Sequence, residues 1–215
     1  MTDYNDIARF TREKEFNNHK ATVVLDNDMF LIMDWRNVNG SGIYFVRYIL
    51  DKHCGVLFIR GDIGSAVFTW NNQLDAKDLA CYVKDYQYFF SKLTCSTNKY
   101  TYKDEDIRED VKELQRDHYN GAYDEDDMTF EEFIRERPDE EIEFWENLAD
   151  DISDCRWGPG YYTEELTDKL CEFLGLDWMD YPLAADAGQR IHPTIIMWAE
   201  GFAMAYKDAF ENKGD

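Results

Sequence analysis

The chain has 215 residues, 44% of them hydrophobic, with 14 Phe, 14 Tyr and 6 Trp, which is enough to form a core in one domain or two small ones. This composition excludes disorder of the whole chain. The first residues are polar and of mixed charge, and no stretch approaches the about 18 uninterrupted apolar residues of a membrane span. We therefore expect a protein of the cytoplasm, with neither a secretion signal nor a membrane span.

The net charge of −22 is concentrated in one part of the chain. Residues 1–103 carry 12 acids and 13 bases, residues 104–154 carry 22 acids and 5 bases, and residues 155–215 carry 11 acids and 5 bases. A surface this acidic repels nucleic acids and anionic membranes and attracts basic surfaces. We therefore expect a basic protein as the partner, and no direct binding of nucleic acid or membrane.

The first half of the chain has the pattern of a β-meander. Runs rich in β-branched and aromatic residues alternate with Asn-, Asp- and Gly-containing turns, which favours short strands joined as hairpins. The predicted strands cover residues 22–26, 29–35, 42–50, 55–61 and 65–70. Since strands this closely spaced can only be antiparallel neighbours, we expect a sheet of four or five strands after a short helix over residues 6–16.

From Asp75 onward the apolar spacing becomes helical. Asp75 and Asp78 indicate a helix start, and Thr129 with Glu132 has the pattern of a capping box. Further helices are predicted over residues 104–117, 139–152, 163–174 and 193–210. The fold class is therefore α+β: a sheet region over 1–103 packed with an acidic helical region over 104–215, together as one compact body.

No complete catalytic or metal signature is present. The four histidines lack zinc-binding spacing, the five cysteines contain no C-x-x-C pair, and phosphate-binding glycine loops and a nucleophile elbow are absent. We therefore expect no cofactor, no resident metal and no enzyme activity. An enzyme remains open as an alternative, namely a metal-dependent hydrolase using carboxylates of Asp124–Asp127 and Glu131.

The acidic segment contains two runs without a Lys or Arg, residues 124–132 and 139–154, and these form the predicted binding surface. If the second run is a helix, its acids are spaced at roughly one per 3 Å along the helix axis. This spacing is close to the roughly 3.4 Å between successive phosphates of one DNA strand. Tyr119 and Tyr123, near Gly121, are predicted to be exposed aromatic anchors. The other predicted partner-binding residues are Asp124, Glu125, Asp126, Asp127, Glu131, Glu132, Glu140, Glu141, Glu143, Glu146, Asp150 and Asp151. A charge run is also typical of a merely solvated helix face, and that alternative stays open.

Two segments resemble a stretch found in small phage and mobile-element proteins, namely residues 60–70 (RGDIGSAVFTW) and residues 88–92 (YFFSK). Together with the acidity, the chain is similar in type to phage-encoded inhibitors of bacterial defence, such as anti-CRISPR and anti-restriction proteins. That resemblance implies a stoichiometric inhibitor that imitates nucleic acid on the basic groove of a defence effector. An immunity protein that neutralises a basic toxin would need the same kind of acidic surface, and the sequence does not separate these two alternatives.

Overall fold

The computed structural model describes residues 4–40, 42–120, 122, 128–155, 171–173 and 188–212. The fold is α+β, as predicted, and the chain divides into two compact units. We call Tyr102–Arg190 the helical unit, and Asp3–Thr101 with Ile191–Asp215 the sheet unit. Among the described residues, no helix combines the length and the apolarity needed to cross a membrane.

The sheet unit contains a six-stranded antiparallel meander in the order β1 to β6. Alternate residues face the core, as in Leu31, Met33 and Trp35 of β2, which are at most 2% exposed. The strands are β1 His19–Asp26, β2 Phe30–Asn37, β3 Val46–Asp51, β4 Val56–Gly61, β5 Gly64–Thr69 and β6 Leu93–Ser96. The five predicted strands are confirmed with shifted ends, and the sixth was not predicted.

The turn between β4 and β5 depends on Gly64. Its φ is +110°, and a Cβ there would lie 2.6 Å from the Thr97 hydroxyl, so a larger residue is disfavoured both by conformation and by space. Asp62 in the same turn accepts a hydrogen bond from the backbone N–H of Tyr44, which is distant in sequence, and so ties this turn to the segment before β3.

Helices cover the inner face of the sheet. The predicted helix that begins after Asp75 is in fact two helices. The second begins after Asp85, whose side chain caps it by accepting a hydrogen bond from the backbone N–H of Tyr88. The predicted N-terminal and C-terminal helices are confirmed, although each ends in a π-helical segment. The elements are α1 Tyr4–Phe10 with π-helix Thr11–Glu15, α2 Ala76–Tyr82, α3 Tyr86–Ser91, the short strands β7 Tyr100–Thr101 and β8 Arg190–Ile191, and Pro193–Tyr206 with π-helix Lys207–Glu211.

The helical unit is built from α4 Asp104–His118, α5 Phe130–Arg135 and α6 Asp139–Cys155, and residues 171–173 are also helical. Thr129 and Glu132 form the predicted capping box of α5. The core of this unit contains Ile107, Val111, Leu114, Phe133, Trp145, Leu148 and Ile152. The rest of the helix predicted over residues 163–174 lies outside the described residues.

The helix Pro193–Tyr206, here α7, lies in a different unit from the one predicted. The sequence grouped it with the acidic helices, but Ile195, Trp198 and Phe202 are fully buried in the core of the sheet unit. The physical reason is its composition: α7 is apolar around most of its circumference and needs the large inner face of a sheet to cover it.

His19 makes the stability of the sheet unit depend on pH. Its ring lies 5.0 Å from the Phe16 ring and 5.6 Å from the Trp35 ring, and burial lowers its pKa below the ordinary 6.5. The unfolded chain therefore binds the proton more tightly, and stability is lost as the pH falls from about 6.5 through the folded-state pKa.

We expect urea unfolding of the native protein, followed by tryptophan fluorescence, to show a larger loss of unfolding free energy between about pH 7.5 and about pH 5 than unfolding of His19→Met. The substitution removes this one titratable ring and leaves every other histidine and carboxylate in the chain, so the difference between the two proteins reports on His19. Equal losses in the two proteins would show that His19 does not contribute.

Candidate functional site

The acids of α6 lie on the side opposite to its buried residues. At about 100° per residue, the exposed acids fall within an arc of about 140°, and Trp145, Leu148 and Ile152 face the other way into the core. The exposed acids are Asp139, Glu140, Glu143, Glu146, Asp150 and Asp151. We call these six residues the acidic face. It contains five of the predicted partner-binding residues together with Asp139.

Bases of α4 neutralise only part of the predicted surface. Arg108 forms an exposed ion pair with Asp150, and Arg116 lies 3.7 Å from Glu131. Within the part of the chain that the structure describes, no Lys or Arg lies within ion-pair distance of Glu140, Glu143 or Glu146. These three carboxylates, which follow one another at three-residue intervals, form the unneutralised centre of the acidic face.

Tyr119 is not an exposed anchor, and that expectation is wrong. It is only 7% exposed, its ring contacts those of Phe133 and Trp145, and its hydroxyl donates to Glu141 at 2.7 Å. Burial, followed by this hydrogen bond, raises the pKa of Tyr119. The sequence carried a signal for this, because Tyr119 continues the four-residue spacing of Ile107 and Val111 on the buried side of α4.

Glu141 and Glu132 have structural roles that reduce their availability to a partner. Glu141 is half-buried and holds the Tyr119 hydroxyl. The Glu132 carboxylate accepts from the backbone N–H and the hydroxyl of Thr129, and these two bonds lower the pKa of Glu132. The remaining predicted residues, Asp124, Glu125, Asp126, Asp127 and Tyr123, lie outside the described residues.

No metal-binding cluster accompanies the acidic face in the described part of the chain. No group of three or more His, Cys, Asp or Glu side chains there is arranged to hold a metal ion. The arrangement can nevertheless bind a positively charged surface, since its carboxylates are exposed, close together and on one side of a rigid helix.

A second cluster of charges was missed by the sequence analysis. Arg190 donates two hydrogen bonds to Asp110, at 2.7 and 2.9 Å, and its Nε lies 3.5 Å from Asp106. All three side chains are largely buried, so this cluster holds the helical unit together and does not present charge to solvent. The two acids are four residues apart beside the apolar stripe of α4, but no local pattern indicates the distant arginine as their partner.

Comparisons with protein-family models, with curated proteins and with solved structures found no match to this chain.

Proposed function

We propose that this chain is a stoichiometric inhibitor that binds the basic, nucleic-acid-binding surface of a bacterial defence effector in the cytoplasm. The observation that carries the proposal is the acidic face of α6, with Glu140, Glu143 and Glu146 unneutralised at its centre. The defence effector as partner rests on the resemblance in type of residues 60–70 and 88–92 to phage proteins.

The spacing of charge supports mimicry of a nucleic-acid strand. The acidic face runs from Asp139 to Asp151, which is about 18 Å of helix axis. Six carboxylates over this length come at about one per 3.6 Å on average, compared with roughly 3.4 Å per phosphate along one DNA strand. A basic groove that holds a nucleic-acid strand therefore meets a similar density of negative charge on α6.

The acids lie on one side of α6, and this arrangement supports binding in a groove of the partner. The opposite side of α6 is fixed in the core by Trp145, Leu148 and Ile152, so the helix presents its acids without losing its own packing. Docking would release the ions condensed on both surfaces, as nucleic-acid binding does, so the affinity should fall steeply with salt concentration.

The test is capture from a bacterial lysate by the immobilised native protein, followed by mass spectrometry and binding measurements on the purified partner. We expect the immobilised protein to capture a nucleic-acid-binding effector, which elutes as the salt concentration rises. Excess duplex DNA or guide RNA should also displace this effector. Elution of a basic toxin would instead identify an immunity protein.

The variant for this test is Glu140→Gln/Glu143→Gln/Glu146→Gln. Since each exposed ion pair contributes about 0.2–1 kcal/mol, the triple change should weaken binding by about threefold to a hundredfold and reduce its dependence on salt. The matched control is Glu105→Gln/Glu113→Gln/Asp117→Asn on α4, which removes the same charge from exposed positions. Equal weakening by both variants would mean that only net charge matters and would contradict a specific surface on α6.

A further inference from the structure

A cavity of about 730 Å³ lies in the sheet unit, between α2, the end of α7 and the sheet, and every residue that lines it belongs to that unit. Small-molecule sites in proteins commonly have volumes of about 300–1,000 Å³ and mostly apolar walls. Trp35, Ala80, Ala203 and Met204 provide such walls here. Among these, Trp35 is only 2% exposed, so the cavity reaches the core of the unit.

Three lysines stand at the mouth of this cavity. Lys77 and Lys84 lie on one face of α2 and its following turn, seven residues apart, and Lys207 faces them from the π-helical segment after α7. Within the described residues, none of the three lies within ion-pair distance of a carboxylate.

Two of the three acids in the cavity wall are already engaged. Glu200 is 8% exposed, pairs with Arg12 at 2.8 Å and also accepts from the Tyr86 hydroxyl. Asp208 accepts from the backbone N–H of Ala21 at 2.9 Å. Because that hydrogen bond leaves the charge of Asp208 in place, the three lysines share the lining with two carboxylates, Asp208 and Glu211, and the surplus of one positive charge favours a negatively charged ligand.

We propose that this cavity binds a small amphipathic organic anion. Its apolar body would lie against Ala203 and Met204, with only the edge of Trp35 at the bottom of the cavity, and its carboxylate, phosphate or sulfonate would lie among Lys77, Lys84 and Lys207. The site is separate from the acidic face of α6, and the inference does not depend on the proposed inhibition of an effector.

The test uses the full chain and the fluorescent anion 8-anilinonaphthalene-1-sulfonate as the probe. We expect saturable binding of one molecule per chain, and weaker binding of N-phenyl-1-naphthylamine, which has the same rings without the sulfonate. Lys77→Gln/Lys84→Gln should weaken binding of the anionic probe about tenfold and leave the neutral one unchanged. The matched control, Lys103→Gln/Lys112→Gln, removes two exposed lysines of the helical unit and should change neither.

Ala203→Phe, which places an aromatic ring in the cavity, should weaken the binding of both probes about tenfold or more.

An independent readout is Cys81, an exposed free thiol in the cavity wall. Peptide mapping after brief alkylation should show that the anionic probe protects Cys81 while Cys54 and Cys95, which are also exposed, react as before. The readout at Cys81 needs no substitution, so it still decides the matter if Ala203→Phe does not fold. The proposal is overturned if binding does not saturate, if the two lysine variants bind the anionic probe alike, or if all three thiols are protected equally.

Discussion

Replacing Trp198 by alanine is expected to lower the free energy of unfolding of the sheet unit by about 3–5 kcal/mol. Trp198 is fully buried at the centre of α7, where its ring meets the Phe68 ring edge to face at 6.4 Å. It also packs directly over Gly64 in the β4–β5 turn. Alanine would therefore leave a large cavity between the helix and the sheet, which neighbouring strands cannot close.

The variant Trp198→Phe distinguishes the effect of lost packing on stability from the effect of a lost hydrogen-bond donor. The indole N–H of Trp198 is buried without an acceptor among the described residues, so phenylalanine removes a donor that makes no bond. We expect this variant to lose clearly less stability than Trp198→Ala, and Phe58→Ala, at a 44% exposed position, to lose little. Urea unfolding followed by circular dichroism measures all three. Similar losses for Trp198→Ala and Phe58→Ala would contradict the central role of α7.

The sheet could be predicted because its strands carry a local signal. β3 alternates buried and half-buried residues, and turn residues separate it from β4, so pattern alone located these strands. β6 could not be found this way. Its four residues, Leu93–Ser96, are a strand only because their backbone groups pair with β5, and nothing in so short a segment distinguishes it from the end of a helix.

The acidic face could be located from sequence for a similar reason. The periodicity of Trp145, Leu148 and Ile152 defines the buried side of α6, and the acids then occupy the opposite side. What pattern could not supply were contacts between distant segments, such as the pairing of Asp150 with Arg108 or the burial of Tyr119 against Phe133. Binding of a partner by these residues stays a prediction.

Arg190→Met is expected to destabilise the helical unit by about 3–5 kcal/mol, because it removes the cation that pairs with two largely buried carboxylates. Asp106 and Asp110 have side-chain exposures of 5% and 23%, so little water reaches them to replace the guanidinium. The matched control is Arg108→Met, which breaks the exposed pair with Asp150 and should cost no more than about 1 kcal/mol.

The cost of Arg190→Met comes from the loss of the positive charge beside two carboxylates, and the whole cluster need not be strongly stabilising. Neutralising both acids in the same chain, as Arg190→Met/Asp106→Asn/Asp110→Asn, should therefore recover most of the lost stability. Urea unfolding followed by far-ultraviolet circular dichroism compares the single, triple and control variants. If the triple variant is as unstable as Arg190→Met, the loss comes from the missing hydrogen bonds and packing of the arginine. If Arg190→Met costs no more than Arg108→Met, the cluster is solvated, and α4 is held by its apolar stripe alone.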